Sequence, residues 1–322
     1  MPSAVPAQVP TSSAAAVQDA STKIISTTQR TTPVPKSTQV LVRVNYTGVC
    51  ASDLHLSRRD LPYLQPTVSI AGHEGTGEIA SLGPEVDSTT WNVGDRVAIR
   101  WLHKYALADS EYLVRIPEGV SDADAAPILC AGVTVFKALK LAQLRKGSWV
   151  AIAGAGGGLG HLAIQYARAM GLRPLALDAK KRGICLSIGA EAYLDVLETS
   201  DCIAEVQKLT DGGASGALIC ASNGRAYADA VKYLRRAGTL VCIGLPPKPS
   251  PIPVLPEDFI ARGIKIMGTS TGTLKDTEEA LKYVARGEVK PRLVERSLDD
   301  IEQVLRDIEE AKVEGRVVIK IE

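Results

Sequence analysis

The chain has 322 residues, a formal net charge of +1, 45% hydrophobic residues and 23% charged residues. That length fits roughly two domains and can bury a core without disulfide support. A near-neutral chain with 4% aromatic residues and no basic stripe is a poor nucleic-acid binder. No apolar run approaches the ~20 residues of a membrane span.

Residues 1–35 are rich in Ser, Thr, Ala and Pro, and the first basic residue is Lys23. They lack the basic start and apolar core of a signal peptide, and the arginine content of a transit peptide. A short strand is expected near Ala14 to Val17. Residues 39–49, QVLVRVNYTGV, alternate apolar and polar, the pattern of a half-buried strand. GDRVAIRWL is another strand, and this first third is punctuated by Gly and Pro. Residues 121–143 read as one helix, with Ser121 as its cap.

From Ser148 the rhythm changes. SWVAIAGAGGGLG is an apolar strand entering a glycine turn, and HLAIQYARAMG is an amphipathic helix closed by Gly171. RPLALDA, AYLDV, ALICAS, TLVCIGL and IKIMGTS are further strands separated by helical stretches. Such alternation predicts βαβ units and a parallel sheet. The tail reads helix, helix, strand, ending in RVVIKIE.

Two sets of residues carry chemistry. Gly154, Gly157, Gly158 and Gly160 lie where a strand meets a helix. No register fits strict G-x-G-x-x-G; the first, second and fourth give G-x-x-G-x-x-G, and the first, third and fourth give G-x-x-x-G-x-G. Either way the backbone can approach a pyrophosphate at a helix N-terminus. Asp178 ends the next strand, 18 residues after Gly160, where an acidic group can accept from ribose hydroxyls and repel a 2′-phosphate. This favours NAD over NADP, although Lys180, Lys181 and Arg182 nearby work against that preference. The second set is Cys50, His73 and Cys130, two thiols and an imidazole on separate segments. Such a trio suits catalytic zinc, with a fourth position open. The six cysteines stand at 50, 130, 185, 202, 220 and 242, scattered and mostly in apolar runs. Free thiols and a cytoplasmic setting are expected.

GVCASDLH, AGHEGTG, PILCAGVTVFKAL, GAGGGLG and KVEGRVV, in that order, resemble the zinc-dependent medium-chain alcohol dehydrogenases, in particular the microbial tetrameric branch. The likeness covers nearly the whole chain from about residue 14. It implies an α/β fold, a GroES-like β-rich catalytic domain plus a Rossmann doubly wound parallel sheet. The expected division is 1–128 catalytic, 129–271 dinucleotide-binding, and 272–322 returning to the catalytic domain. Cys50, His73 and Cys130 would hold zinc, and Glu74 would be the carboxylate able to visit it. Asp53 would orient His73. Ser52 would hydrogen-bond the substrate oxygen, and His55 would pass its proton to solvent. Gly157, Gly158 and Leu159 would lie against the pyrophosphate, Asp178 against the ribose with Lys181 close by, Arg316 near the phosphates, and Thr134 by the nicotinamide. Trp101 and Leu61 would line the substrate pocket. The implied reaction is reversible hydride transfer between a small or medium alcohol and NAD, in an oligomer of like chains. A specialised carbonyl reductase, or a cofactor-binding product without activity, are the alternatives.

Three departures stand out. Ala51 replaces the His or Arg that many relatives place by the pyrophosphate, which implies a looser hold on the cofactor. Leu61 replaces a bulky aromatic of ethanol-preferring relatives, which implies room for a larger substrate. After Trp101-Leu102 relatives insert a lobe of roughly forty residues with C-x2-C-x2-C-x7-C around a structural zinc. Here RWLHKYALADSEYLVRIPEG runs straight on. The join carries no turn residues and both flanks match the family, so an excision between His103 and Lys104, by splicing or in a gene model, is favoured over an enzyme that never had the lobe.

Overall fold

The computed structural model describes residues 9–19, 24–58, 72–99, 104–246 and 248–321. Its contacts divide these into two compact units. One comprises residues up to Cys130 together with Thr273–Ala285 and Leu293 onward; the other is Ala131–Gly272 with Arg286–Arg292.

The first unit opens with a hairpin, β1 (Ser12–Gln18) against β2 (Ile25–Thr31). The long strand β3 (Gln39–Val49) then runs into helix α1 (Ala51–Arg58). Strands β4 (Gly75–Leu82), β5 (Arg96–Ile99), β6 (Tyr105–Asp109) and β7 (Val114–Arg115) follow, then the short helix α2 (Asp122–Ala125) and a 3-10 turn, Ala126–Leu129.

The second unit begins at α3 (Ala131–Ala142) and continues with β8 (Trp149–Ala153), α4 (Gly160–Ala169), β9 (Arg173–Asp178), α5 (Arg182–Ser187), β10 (Ala192–Asp195) and α6 (Cys202–Leu209). Its second half is β11 (Ala214–Ile219), α7 (Gly224–Tyr233), β12 (Leu234–Cys242), α8 (Pro256–Ile260) and β13 (Lys265–Gly268). The chain then returns to the first unit through α9 (Leu274–Ala285), β14 (Leu293–Ser297), α10 (Ile301–Glu309) and β15 (Arg316–Lys320).

In the first unit the sheet order is β14-β15-β3-β4-β5-β7, with β6 also on β3. Strand β3 is long enough to serve two partners along one edge: β6 pairs Gln39–Arg43 and β15 pairs Tyr46–Val49. Val40, Val42 and Val44 point inward from it onto Ile79, Val97, Leu305 and Ile319, all buried. Alternation holds only over Val42–Asn45; Leu41 and Thr47–Val49 are buried too, because β3 is a central strand covered on both faces there.

The join between β5 and β6, residues 100–103, lies outside the described residues. Strand β5 pairs with β4 and β7, whereas β6 pairs with β3. The two strands run antiparallel to one another yet are not neighbours in the sheet. His103 and Trp101 lie outside the described residues.

In the second unit all strands run parallel in the order β10-β9-β8-β11-β12-β13. Counted within the unit this is 3-2-1-4-5-6, the doubly wound order whose topological switch falls between β8 and β11. Its apolar runs read as continuous because helices cover both faces. The helix expected over 121–143 is broken. Ser121 does cap, its hydroxyl accepting from the Asp124 N–H, but Pro127 tightens the next turn to 3-10. Cys130 then leaves helical geometry (φ −123, ψ −71) before α3 begins. Among the described residues no single helix is long and apolar enough to cross a membrane.

Candidate active site and metal centre

Cys50, His73, Glu74 and Cys130 each offer a donor atom, and these atoms all lie within 4.8 Å of one another. All four belong to the first unit. Cys50 immediately follows β3, His73 and Glu74 immediately precede β4, and Cys130 occupies the break before α3. The break in that helix is what turns Cys130 out of the helical repeat and into the group. The segment leading to it is pinned by the Thr76 hydroxyl, which donates to the Asp122 carbonyl at 2.9 Å, and by Arg96, which donates to the Val120 carbonyl at 2.6 Å.

A second layer holds the donors. Asp53, 3% exposed, accepts from the Cys50 backbone N–H at 2.9 Å and faces His73 Nδ1 at 3.0 Å. That fixes the ring with Nε2 towards Cys50 Sγ, 3.4 Å away. The Ser52 N–H, at the start of α1, donates to the same sulfur at 3.2 Å. Glu74 is fully buried and ion-paired with Arg316, itself 6% exposed. Glu74 Oε2 and Arg316 Nε have no protein partner. A Cβ on Gly48 would lie 1.7 Å from Glu74 Oε2, so only glycine leaves room for that carboxylate.

The charges are arranged for a cation. The Cys50 thiol sits well below its ordinary range, because Cys130 donates to it and His73 stands beside it, against the cost of burial. Cys130 is pushed up, as its proton is held by Cys50. Burial disfavours a charged His73, but the Asp53 carboxylate and the Cys50 thiolate outweigh it and raise its pKa. Burial lifts Glu74 to about 7, against the pull of Arg316. Tetrahedral zinc with two sulfurs and one nitrogen at ~2.0–2.3 Å needs donors this close, and binding would release the protons now shared among them. An acceptor oxygen buried without a partner, Glu74 Oε2, suits the same ion.

Ser52 and His55 lie three residues apart on α1, hence on one face, and both are half-buried. Ala51 is exposed at the first position of that helix. Leu61 and Trp101 lie outside the described residues.

The glycine turn sits at the switch point of the second unit. Gly154 has φ +74, and a Cβ there would lie 2.9 Å from the Ala221 nitrogen beyond β11. A Cβ on Gly160 would lie 2.1 Å from the Gly154 carbonyl oxygen. Both positions require glycine, which both sequence registers share. Gly157, Gly158 and Leu159 are partly exposed at the N-terminus of α4. Asp178 accepts from the Gly156 N–H at 2.7 Å and from the Ala179 N–H at 2.7 Å. The Lys181 stem lies over Gly156, 2.7 Å from where a Cβ would be. Thr134 is buried on α3, its hydroxyl accepting from the Thr271 N–H at 3.0 Å.

Sequence reasoning missed three residues. Gly48 opens GVCASDLH, but no local signal shows that it faces Glu74. Arg316 was assigned to the cofactor phosphates, and its pairing with Glu74, 242 positions away, had no local signal. His161, buried beneath the turn, is hidden in a helix pattern.

Residues 36–121 match the family described as alcohol dehydrogenase GroES-like domain, and residues 158–286 match zinc-binding dehydrogenase. The chain is 38% identical to an alcohol dehydrogenase of Geobacillus stearothermophilus, across 88% of this chain and 92% of that one. It is 36% identical to an alcohol dehydrogenase of Rhizobium meliloti, across 90% and 93%. The solved acetophenone reductase of Geotrichum candidum, in complex with NAD, superposes with a TM-score of 0.83 at 25% identity, over 97% of this chain and 98% of that one. Together with the Cys50, His73, Cys130 group, these likenesses establish that the chain belongs to the zinc-type medium-chain alcohol dehydrogenases.

Proposed function

We propose that this alcohol dehydrogenase oxidises a small or medium alcohol with NAD at a zinc held by Cys50, His73 and Cys130. The reverse reaction reduces the matching aldehyde or ketone. The observation that carries the reading is the convergence of the four donor atoms within 4.8 Å. When bound, zinc supplies a Lewis acid that lowers the pKa of an alcohol hydroxyl; nicotinamide supplies the hydride acceptor.

The chain's own residues do the rest. Asp53 fixes the His73 ring so that Nε2 is the liganding atom. Glu74 waits beside the group, and Arg316 opposes its charge while it waits. The Ser52 hydroxyl accepts the proton of the alcohol, and His55, one turn further along α1, carries it towards solvent. In the second unit, Gly157, Gly158 and Leu159 offer backbone N–H groups to the pyrophosphate. Asp178 has lone pairs left after its two backbone bonds and turns the pocket towards a ribose with free hydroxyls. Thr134 lines the nicotinamide end.

The test is zinc content by elemental analysis together with NAD-dependent oxidation of ethanol and hexanol. A single zinc per chain with turnover is expected. A zinc-free chain that reduces NAD with neither alcohol would refute the reading. A larger substrate is also part of this proposal, since Leu61 is smaller than an aromatic wall; Leu61→Trp should shift preference towards ethanol. We further infer that the chain lacks the structural-zinc lobe, because no four of its cysteines are closely spaced. Cysteine codons in the genomic segment between those for His103 and Lys104 would identify an excision.

A further inference from the structure

We propose that His161 is a positioning residue for the coenzyme turn: it locks the Gly157–Gly158 peptide so that the Gly158 N–H faces the pyrophosphate. This rests on the reading that the turn binds NAD. His161 is fully buried on the first turn of α4. Its Nδ1 lies 3.0 Å from the Gly157 carbonyl oxygen, and its Nε2 lies 3.2 Å from the Arg292 backbone nitrogen.

The second contact assigns the tautomer. A backbone N–H can only donate, so Nε2 is the acceptor and carries no hydrogen. In the neutral ring the proton is then on Nδ1, which donates to Gly157. The same carbonyl also accepts the backbone N–H of His161 at 3.1 Å, so both of its lone pairs are used. A peptide unit is planar and trans. Fixing the Gly157 C=O therefore fixes the Gly158 N–H, which points the opposite way, out of the helix N-terminus where an anion is favoured.

The lock has something to hold. Gly156, Gly157 and Gly158 are consecutive, with the widest backbone freedom available. Packing does not restrain the middle one: a Cβ on Gly157 would meet only the Gly154 oxygen, at 3.4 Å. The two hydrogen bonds to the Gly157 carbonyl supply the restraint that a side chain does not. The other end of the ring reaches Arg292, in the 286–292 segment that also docks through Gln165. That glutamine accepts from the Lys290 N–H at 2.8 Å and donates to the Lys290 carbonyl at 3.1 Å.

Two isosteric variants separate the two ends of the imidazole. His161→Asn keeps a donor near the Nδ1 position and loses the contact to Arg292. His161→Gln keeps an acceptor near the Nε2 position and loses the donor to Gly157. The readout is the NAD dissociation constant of the zinc-loaded full chain, with zinc content and the alcohol KM at saturating NAD alongside. His161→Gln should bind NAD roughly three- to tenfold more weakly, the effect of one hydrogen bond, and His161→Asn should stay within about twofold of the wild type. Zinc content and the alcohol KM should not move. Gln165→Leu, which frees the 286–292 segment and otherwise removes only a bond to the His161 carbonyl at 3.1 Å, should leave NAD affinity unchanged. The proposal is overturned if His161→Gln binds NAD like the wild type, if His161→Asn is weakened equally, or if Gln165→Leu reproduces the loss. Should His161→Asn fail to fold, the comparison of His161→Gln with Gln165→Leu decides. A wild-type chain that binds zinc but no NAD would instead overturn the cofactor reading itself.

Discussion

Asp53→Asn tests the architecture of the metal centre with the smallest change in shape. Asp53 accepts two hydrogen bonds, from the Cys50 N–H at 2.9 Å and from His73 Nδ1 at 3.0 Å. An asparagine has one acceptor oxygen and one NH2 group. Whichever way the amide turns, its NH2 faces one of the two donors and that contact is lost. The lost bond is charge-assisted, and such bonds are worth roughly 1.5–3 kcal/mol. Partners of metal-liganding histidines typically change metal affinity ~10–100-fold, which at ~1.4 kcal/mol per decade is the same size. Competition with a chromophoric chelator at fixed pH measures it directly. The expected outcome is zinc held ~10–100-fold more weakly by a chain whose NAD affinity is unchanged, because the turn lies in the other unit. Zinc affinity within about threefold of the wild type, less than one bond of this kind supplies, would refute the view that Asp53 orients the ligand.

Other outcomes follow from the same structure. Gly160→Ala places a Cβ 2.1 Å from the Gly154 carbonyl oxygen, a backbone atom with no room to move, so it should cost at least ~1–3 kcal/mol in denaturant unfolding and weaken NAD binding. Gly48→Ala drives a Cβ into Glu74 Oε2 at 1.7 Å; the carboxylate must leave its place beside Arg316, and both stability and zinc affinity should fall. Removing zinc with a chelator should lower the melting temperature, since a ligand present at a thousandfold its dissociation constant contributes about 4 kcal/mol; an unchanged melting temperature would mean no zinc was bound. Tyr227 is buried, donates to the Gly244 carbonyl, and is pushed up to about 12 by burial, with Cys242 nearby adding to it. Its folded pKa lies above the unfolded value of ~10, so its contribution is complete below pH ~10 and is lost as pH rises towards 12. Alkaline unfolding should be less steep in Tyr227→Phe, and spectrophotometric titration should show one fewer late-ionising phenol.

Much of this was legible because the signals are local. Alternation along 39–49 places β3, since a strand's side chains change face at every residue. The glycine turn between β8 and α4 is readable because a tight turn and a close helix approach exclude side chains at Gly154 and Gly160. The metal set was readable as a type, two thiols and an imidazole. What failed did so where one local signal was extended too far. Residues 121–143 have helical periodicity throughout, yet Pro127 and the geometry at Cys130 divide them, and the division brings Cys130 beside Cys50 and His73.

The amino-acid sequence alone determined the α/β alternation, the glycine turn and the residue types of the candidate metal donors, because each rests on local pattern or on residue type. Tertiary structure decided the rest. Arg316 meets Glu74 from 242 positions away because β15 lies beside the end of β3. Gly48 matters only because Glu74 folds over it. His161 meets both Gly157 and Arg292 because the 286–292 segment docks against α4. Strands β5 and β6, close in sequence, are kept apart in the sheet because β3 and β4 stand between them. In each case the reason is the order in which strands pair and segments dock, a property of the whole chain that no short stretch encodes.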